Sequence, residues 1–204
     1  MDRKRLIWVI VLGIWAVLGL VATGCGGDDE ESGSDEAATE AASDEGAEPA
    51  EPAAPTKSEY IKAADKLCAD ADKEKAVKKA NADAADADAA LAAAGSDASL
   101  ITPAAQDIAD AARGRAKLRR ERTAALKKLE PPESGPATAY LKSRESTAKQ
   151  IDEVAKTADA YAKALDQRTA DAYVAAVEAQ NAGFTENKKL AEKFGFKVCG
   201  QPIK

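Results

Sequence analysis

The 204-residue chain contains no histidine. That excludes Ser-His and Cys-His nucleophile pairs and removes the commonest metal ligand. Aromatic residues make up only 4% of the chain. Both tryptophans, Trp8 and Trp15, stand in the leading apolar run, so the rest of the chain has none on which to stack a sugar. Cysteine occurs only at 25, 68 and 199. No segment alternates apolar and polar residues over the length of a strand, which argues against a sheet.

What is present begins with an address. Asp2-Arg3-Lys4-Arg5 is a basic head, and Leu6 to Leu20 is apolar apart from Gly13 and Gly19. Such a head followed by such a run reads as an export signal. Ala22-Thr23-Gly24-Cys25 resembles the lipobox of bacterial lipoproteins, with Ala22 where Leu is commoner. The resemblance implies a diacylglycerol on the Cys25 sulfur and cleavage just before it, leaving 1–24 as signal peptide. The alternative is an uncleaved membrane helix, for which Leu6 to Gly24 is just long enough. Either way Arg3, Lys4 and Arg5 stay inside and the rest lies outside. The expected location is the outer face of a bacterial cytoplasmic membrane, anchored by lipid.

Charge divides the remainder in two. Residues 26–55 hold eleven acids and no base. Gly, Ser, Ala, Pro, Asp and Glu bury too little surface to offset chain entropy, so 25–55 reads as a lipidated cysteine on a disordered acidic tether. Residues 56–204 hold 26 bases against 23 acids and form the expected domain. With Cys25 set aside, Cys68 and Cys199 are an even pair in an oxidising compartment, and a disulfide between them is expected.

The domain reads as all-α, an antiparallel four-helix bundle-like fold. Thr56-Lys57-Ser58-Glu59 fits a capping box. Tyr60, Ile61, Ala64, Leu67, Cys68 and Ala71 recur at helical spacing, with Val77 extending the pattern. This predicts a first helix over 57–80. A weaker, Ala-rich continuation runs to 94, and the pattern leaves 81–99 between helix and connection. A second helix starts near Pro103, with Thr102 as N-cap, and ends before Pro131-Pro132. Its stripe is either Ile108, Ala111, Arg115, Leu118 and Arg122 or a face rotated towards Ala112, Arg119 and Leu126. A third helix runs from Pro136 to about Leu165, and its stripe includes Arg144. A fourth starts near Asp166 or Thr169 and carries Tyr173, Val177, Gln180, Phe184, Ala191 and Phe194. Gly195 is the expected stop. The tyrosines are expected in the core with hydroxyls at the rim.

A cysteine in the first helix, the terminal Phe196-Lys197-Val198-Cys199-Gly200 and the Leu129-Glu130-Pro131-Pro132 turn resemble small Ala-rich lipoproteins of actinobacterial type. That resemblance implies no activity, cofactor or site residue.

Two candidate chemistries stand out. Arg113, Arg115, Lys117, Arg119, Arg120, Arg122, Lys127 and Lys128 crowd one stretch with a single acid, Glu121. They suggest a face for an anionic envelope polymer or lipid, or else a solvated face. Nucleic acid is not an expected partner, because no aromatics interleave with the bases. Asp83, Asp86 and Asp88 lack the Gly turn and terminal Glu of a calcium loop, so no metal is expected. The expected function is a non-enzymatic, membrane-anchored binding or interaction domain with no cofactor. The alternatives are a small-molecule-binding bundle, which needs an apolar cavity of a few hundred Å³, and a carboxylate-based envelope hydrolase.

Overall fold

The computed structural model describes residues 55–131 and 135–201. The signal segment, the lipobox with Cys25, and the tether up to residue 54 lie outside the described residues, as does Pro132. All regular structure among the described residues is helical, in five elements: α1 (Lys57–Lys73), α2 (Lys75–Ala94), α3 (Ala98–Lys127), α4 (Gly135–Ala164) and α5 (Gln167–Phe194). None of them is long and apolar enough to cross a membrane.

The capping box at the start of α1 is formed. Thr56 Oγ1 accepts from the Glu59 N–H at 3.3 Å, and the Glu59 carboxylate accepts from the Thr56 N–H at 2.9 Å. Those bonds hold the Glu59 carboxyl below its usual range. The single helix expected over 57–80 is instead broken at Glu74, whose backbone is extended at φ −62°, ψ 134°. The reason is phase. Val77 stands nine positions beyond Cys68, which in an unbroken helix is roughly half a turn out of register. The break lets Cys68 and Val77 both face inward, and both are buried. The stretch 81–94 is helix, and the chain turns at Gly95, where φ is +57°.

The start of α3 also differs from expectation. Asp97, not Thr102, is the N-cap, its carboxylate accepting from the Ser99 N–H at 2.9 Å. Pro103 lies inside the helix. The carbonyl it fails to bond is that of Ser99, an exposed residue. Thr102 Oγ1 donates instead to the Ala162 carbonyl at 3.3 Å and pins α3 to α4.

Ion pairs give the register of α3 on α4. Arg113 pairs with Asp159, Arg120 with Asp152 and Lys127 with Glu145, one heptad apart and in opposite senses on the two helices. The helices are therefore antiparallel in a coiled-coil-like register. Thr147–Asn187 and Tyr161–Tyr173 contacts make α4 and α5 antiparallel as well. With α1 and α2 as one broken strut, the expected four-helix bundle is the observed architecture. α4 carries its stripe as read, Arg144 included, except for Leu165. That residue lies beyond the helix at φ +51°, where it turns the chain, and is 37% exposed.

Two apolar cores fill the bundle. One gathers Leu91, Ile101, Ile108, Ile151, Val154 and Tyr173 with many alanines. The other gathers Tyr60, Cys68, Leu126, Tyr140, Phe194, Phe196 and Cys199. The four rings of the second core lie 4.9–6.1 Å apart centre to centre in edge-on and tilted contacts. The tyrosine hydroxyls here are not at a rim. Tyr60 Oη donates to the Leu126 carbonyl and Tyr140 Oη accepts from Arg144, both inside.

The tail closes the second core. Gly195 takes φ +103° after α5, and the Phe196 N–H returns to the Ala191 carbonyl at 3.0 Å. The chain then runs back along α1. Asp65 accepts the successive backbone N–H groups of Lys197, Val198 and Cys199 at 2.7, 2.9 and 2.9 Å. Cys199 is disulfide-bonded to Cys68, with Cα atoms 5.4 Å apart. The expected pair is thus formed, on a tail route that needs Asp65 as well.

Candidate functional site

The eight-base stretch does not make one patch. It wraps around α3 and divides by face. Arg113, Arg120 and Lys127 point to the α4 side and are matched by the acids already named. Lys117 and Lys128 are exposed. Arg115, Arg119 and Arg122 recur at i, i+4 and i+7, so they share the third face, which turns inward. They meet Arg144 of α4, which is only 4% exposed. Four guanidinium groups therefore line a partly open pocket of about 90 Å³ between the two apolar cores. Phe184 of α5, Asn81 of α2 and the apolar side chains of Val77, Ala80, Leu118 and Ile151 complete its wall.

Sequence explains why the pocket sits here. On α3 the inward positions Ala112 and Ala116 are small, and the next ones, Arg119 and Thr123, are polar. On α4 Arg144 and Thr147 are buried, and on α5 Gln180 and Asn187 are. Polar side chains thus interrupt the inward stripe of all three helices. The Glu74 break moves α2 away from the line of α1 beside it.

Each arginine is held differently. Arg144 Nε donates to Thr123 Oγ1 at 3.1 Å and its Nη1 to Tyr140 Oη at 3.0 Å. Arg119 Nε donates to the Arg144 carbonyl at 3.3 Å. Arg122 donates to the Asp72 carboxylate at 2.8 Å. Arg115 and Arg119 also lie over the face of Phe184, 5.7 and 5.1 Å from its centre. Stacking on an aromatic ring fixes the plane of a guanidinium and so aims its fork.

A guanidinium carries five N–H donors. Arg144 uses two of them, Arg119 one and Arg115 none among the described residues. The three partners of Arg144 and Arg119 are neutral, two hydroxyls and one backbone carbonyl. Only Asp72 forms an ion pair with this group. Asp88 faces Arg115 at longer range. Burial raises the Asp88 carboxyl, and Arg115 pulls it back down. Formal charge within the site is four positive against two negative.

The excess shows in the titration of the groups. Burial, and next the like charge of Arg144, push Arg119 down to about 9. Burial also pushes Arg115 down, opposed by Asp88. Arg119 remains charged at neutral pH. Charge kept inside a protein without a full complement of opposite charge is costly. An anion placed among these forks reverses that cost.

Elsewhere, an open groove of about 490 Å³ runs between α2 and α3, floored by alanines and rimmed by Asp83, Asp86, Asp107 and Asp110. It is not the apolar cavity that a hydrophobic ligand needs. Asp88 of the sequence triad points away from it, towards Arg115. Cys25 lies outside the described residues. Arg144, Phe184 and Asp72 were not singled out from sequence as site residues. An arginine on an otherwise apolar stripe was the signal available for the first.

Comparison with protein-family models, curated proteins and solved structures finds no match for this chain.

Proposed function

We propose that this chain is an exported lipoprotein whose helical domain binds an anionic partner at the outer face of the cytoplasmic membrane and carries out no chemistry of its own. The address rests on the basic head, the apolar run and the Ala22-Thr23-Gly24-Cys25 motif. Two or more acyl chains anchor a protein stably where one is marginal. The thirty acidic, Gly- and Ser-containing residues after Cys25 give the domain a reach of roughly 30 Å, extended further by mutual repulsion.

The observation that carries the binding half is the converging set of Arg115, Arg119, Arg122 and Arg144, with more positive charge than the protein itself balances. A purely structural role favours well-packed apolar residues at such a layer. The exposed and matched bases of α3 then belong to the helix surface and to the α3–α4 register.

Two measurements test the proposal. The wild type is expected to lack residues 1–24 and to carry an acyl increment on Cys25, and Cys25→Ser removes that increment, both read by mass spectrometry. A wild type that keeps its full precursor mass with no acyl group makes Leu6 to Gly24 a membrane helix instead. Crosslinking in intact cells followed by mass spectrometry recovers an anionic partner with the wild type. Recovery of no partner under conditions that capture known envelope contacts counts against a binding role.

A further inference from the structure

We propose that the arginine-lined pocket is a receptor site for one tetrahedral oxyanion, phosphate or sulfate in type, bound either free or as the terminal monoester of a larger molecule. This deepens the anion-binding reading above and rests on it.

Size comes first. A water molecule's share of liquid volume is about 30 Å³. A cavity of about 90 Å³ therefore takes a single phosphate group and nothing much larger. Any organic part must project through the open side.

Charge comes second. Four guanidinium groups face two carboxylates, one of them committed to Arg122. The surplus of two positive charges is what a dianion neutralises. A monocarboxylate leaves half of it standing.

Geometry comes third. The donors come from two helices, Arg115, Arg119 and Arg122 on α3 and Arg144 on α4. They approach from more than one side, which suits a tetrahedral acceptor better than a planar one. Guanidinium forks bind phosphate oxygens bidentately, and two of the four lie over the Phe184 ring. Arg144 is locked from behind by Thr123 and Tyr140, so its remaining donors are ordered before the ligand arrives. Preorganisation of this kind lowers the entropy lost on binding.

The test uses the full chain in detergent micelles and isothermal calorimetry with sodium sulfate and with inorganic phosphate at pH 8. The expected result is one saturable site per chain with a Kd below about 1 mM. Binding persists at 0.3 M salt, because buried charges are screened far less than exposed ones. Arg119→Gln and Arg115→Gln, both checked for native circular dichroism, weaken it at least tenfold. The double variant Lys117→Gln, Lys128→Gln alters two exposed bases of the same helix and changes affinity less than twofold. No saturable heat up to about 10 mM anion, ten times that Kd, overturns the proposal. So does an equal loss in the lysine variant, which places binding on the surface.

The source of the group is read by competition in the same micelles. Displacement of bound sulfate by a water-soluble short-chain phosphatidic acid, but not by the matching phosphatidylglycerol, identifies a monoester headgroup. Saturable phosphate binding without such displacement identifies the free anion. A crosslinked cellular partner together with no sulfate or phosphate binding leaves the broader binding role standing and sinks this site alone.

Discussion

Removing the Cys68–Cys199 bridge by the double substitution Cys68→Ala, Cys199→Ala should destabilise the domain without unfolding it. The two residues are 131 apart in sequence. Closing a loop of that size restricts the unfolded chain by about 5 kcal/mol in the chain-entropy model, an upper figure. The folded tail has other holds. Asp65 accepts three backbone N–H bonds from it, and hydrogen bonds to a charged group contribute about 1.5–3 kcal/mol each. Phe196 is buried against Tyr60, Tyr140 and Phe194. The loss should therefore lie in the unfolded state, at about 3–5 kcal/mol, with native circular dichroism kept. Urea titration at 25 °C reads both quantities. The midpoint falls, and the slope m rises because the unlinked chain exposes more surface. Asp65→Ala acts oppositely, on the folded state, and lowers the midpoint with m unchanged. A double variant within about 1 kcal/mol of wild type at unchanged m refutes the argument that the bridge constrains the unfolded chain.

Two more predictions concern the core. Tyr60 is raised to about 12, by burial first and then by Tyr140. Its neutral form therefore contributes stability in full below pH 10, and that contribution disappears as pH rises towards 12. Arg119, lowered to about 9, works the other way, since above that pH the folded state holds fewer protons than the unfolded one. The difference between wild type and Tyr60→Phe isolates the tyrosine. The variant costs about 1 kcal/mol at neutral pH for its weak hydrogen bond and loses less stability from pH 10 to 12. An identical alkaline slope in both sinks the assignment. At Gly183 an added Cβ falls on Gln150 Oε1 and 2.8 Å from Thr147 Oγ1. Gly183→Ala should cost about 1–2 kcal/mol net of its gain in helix propensity. Gln150 Oε1 has no hydrogen-bond partner, so adding Gln150→Ala recovers part of the loss, the remainder lying in the Thr147 Oγ1 contact, and thermal melts of the pair check it.

Sequence disclosed what local chemistry controls. The capping box at Thr56 and Glu59, the stripe of α4, the stop at Gly195 and the cysteine pair all followed from spacing and residue type. The break at Glu74 was also written there, in the phase between Cys68 and Val77. Against its near neighbours alone Val77 fits the stripe, and only the longer span from Cys68 shows the loss of phase. Asp97 prevailed over Thr102 because a carboxylate caps well and Thr102 found a tertiary partner in the Ala162 carbonyl. The inward turn of three arginines was the hardest feature to see. Their burial depends on Arg144, Phe184 and Asp72, on three other helices, and no local pattern announces such a meeting. Asp65 was invisible for a similar reason, since its partners lie on the far end of the chain.

The most direct test of the surplus charge inside the bundle is a nitrogen-15 NMR titration of the arginine Nε–Hε signals with sulfate, in the full chain. The Arg115, Arg119 and Arg144 signals should move together and saturate at one equivalent bound, while Arg113 and Arg120, already paired with Asp159 and Asp152 on the outer face, stay in place. Inward signals that do not move, or outer signals that move in parallel with them, would show that the fold holds these arginines for packing and not for an anion.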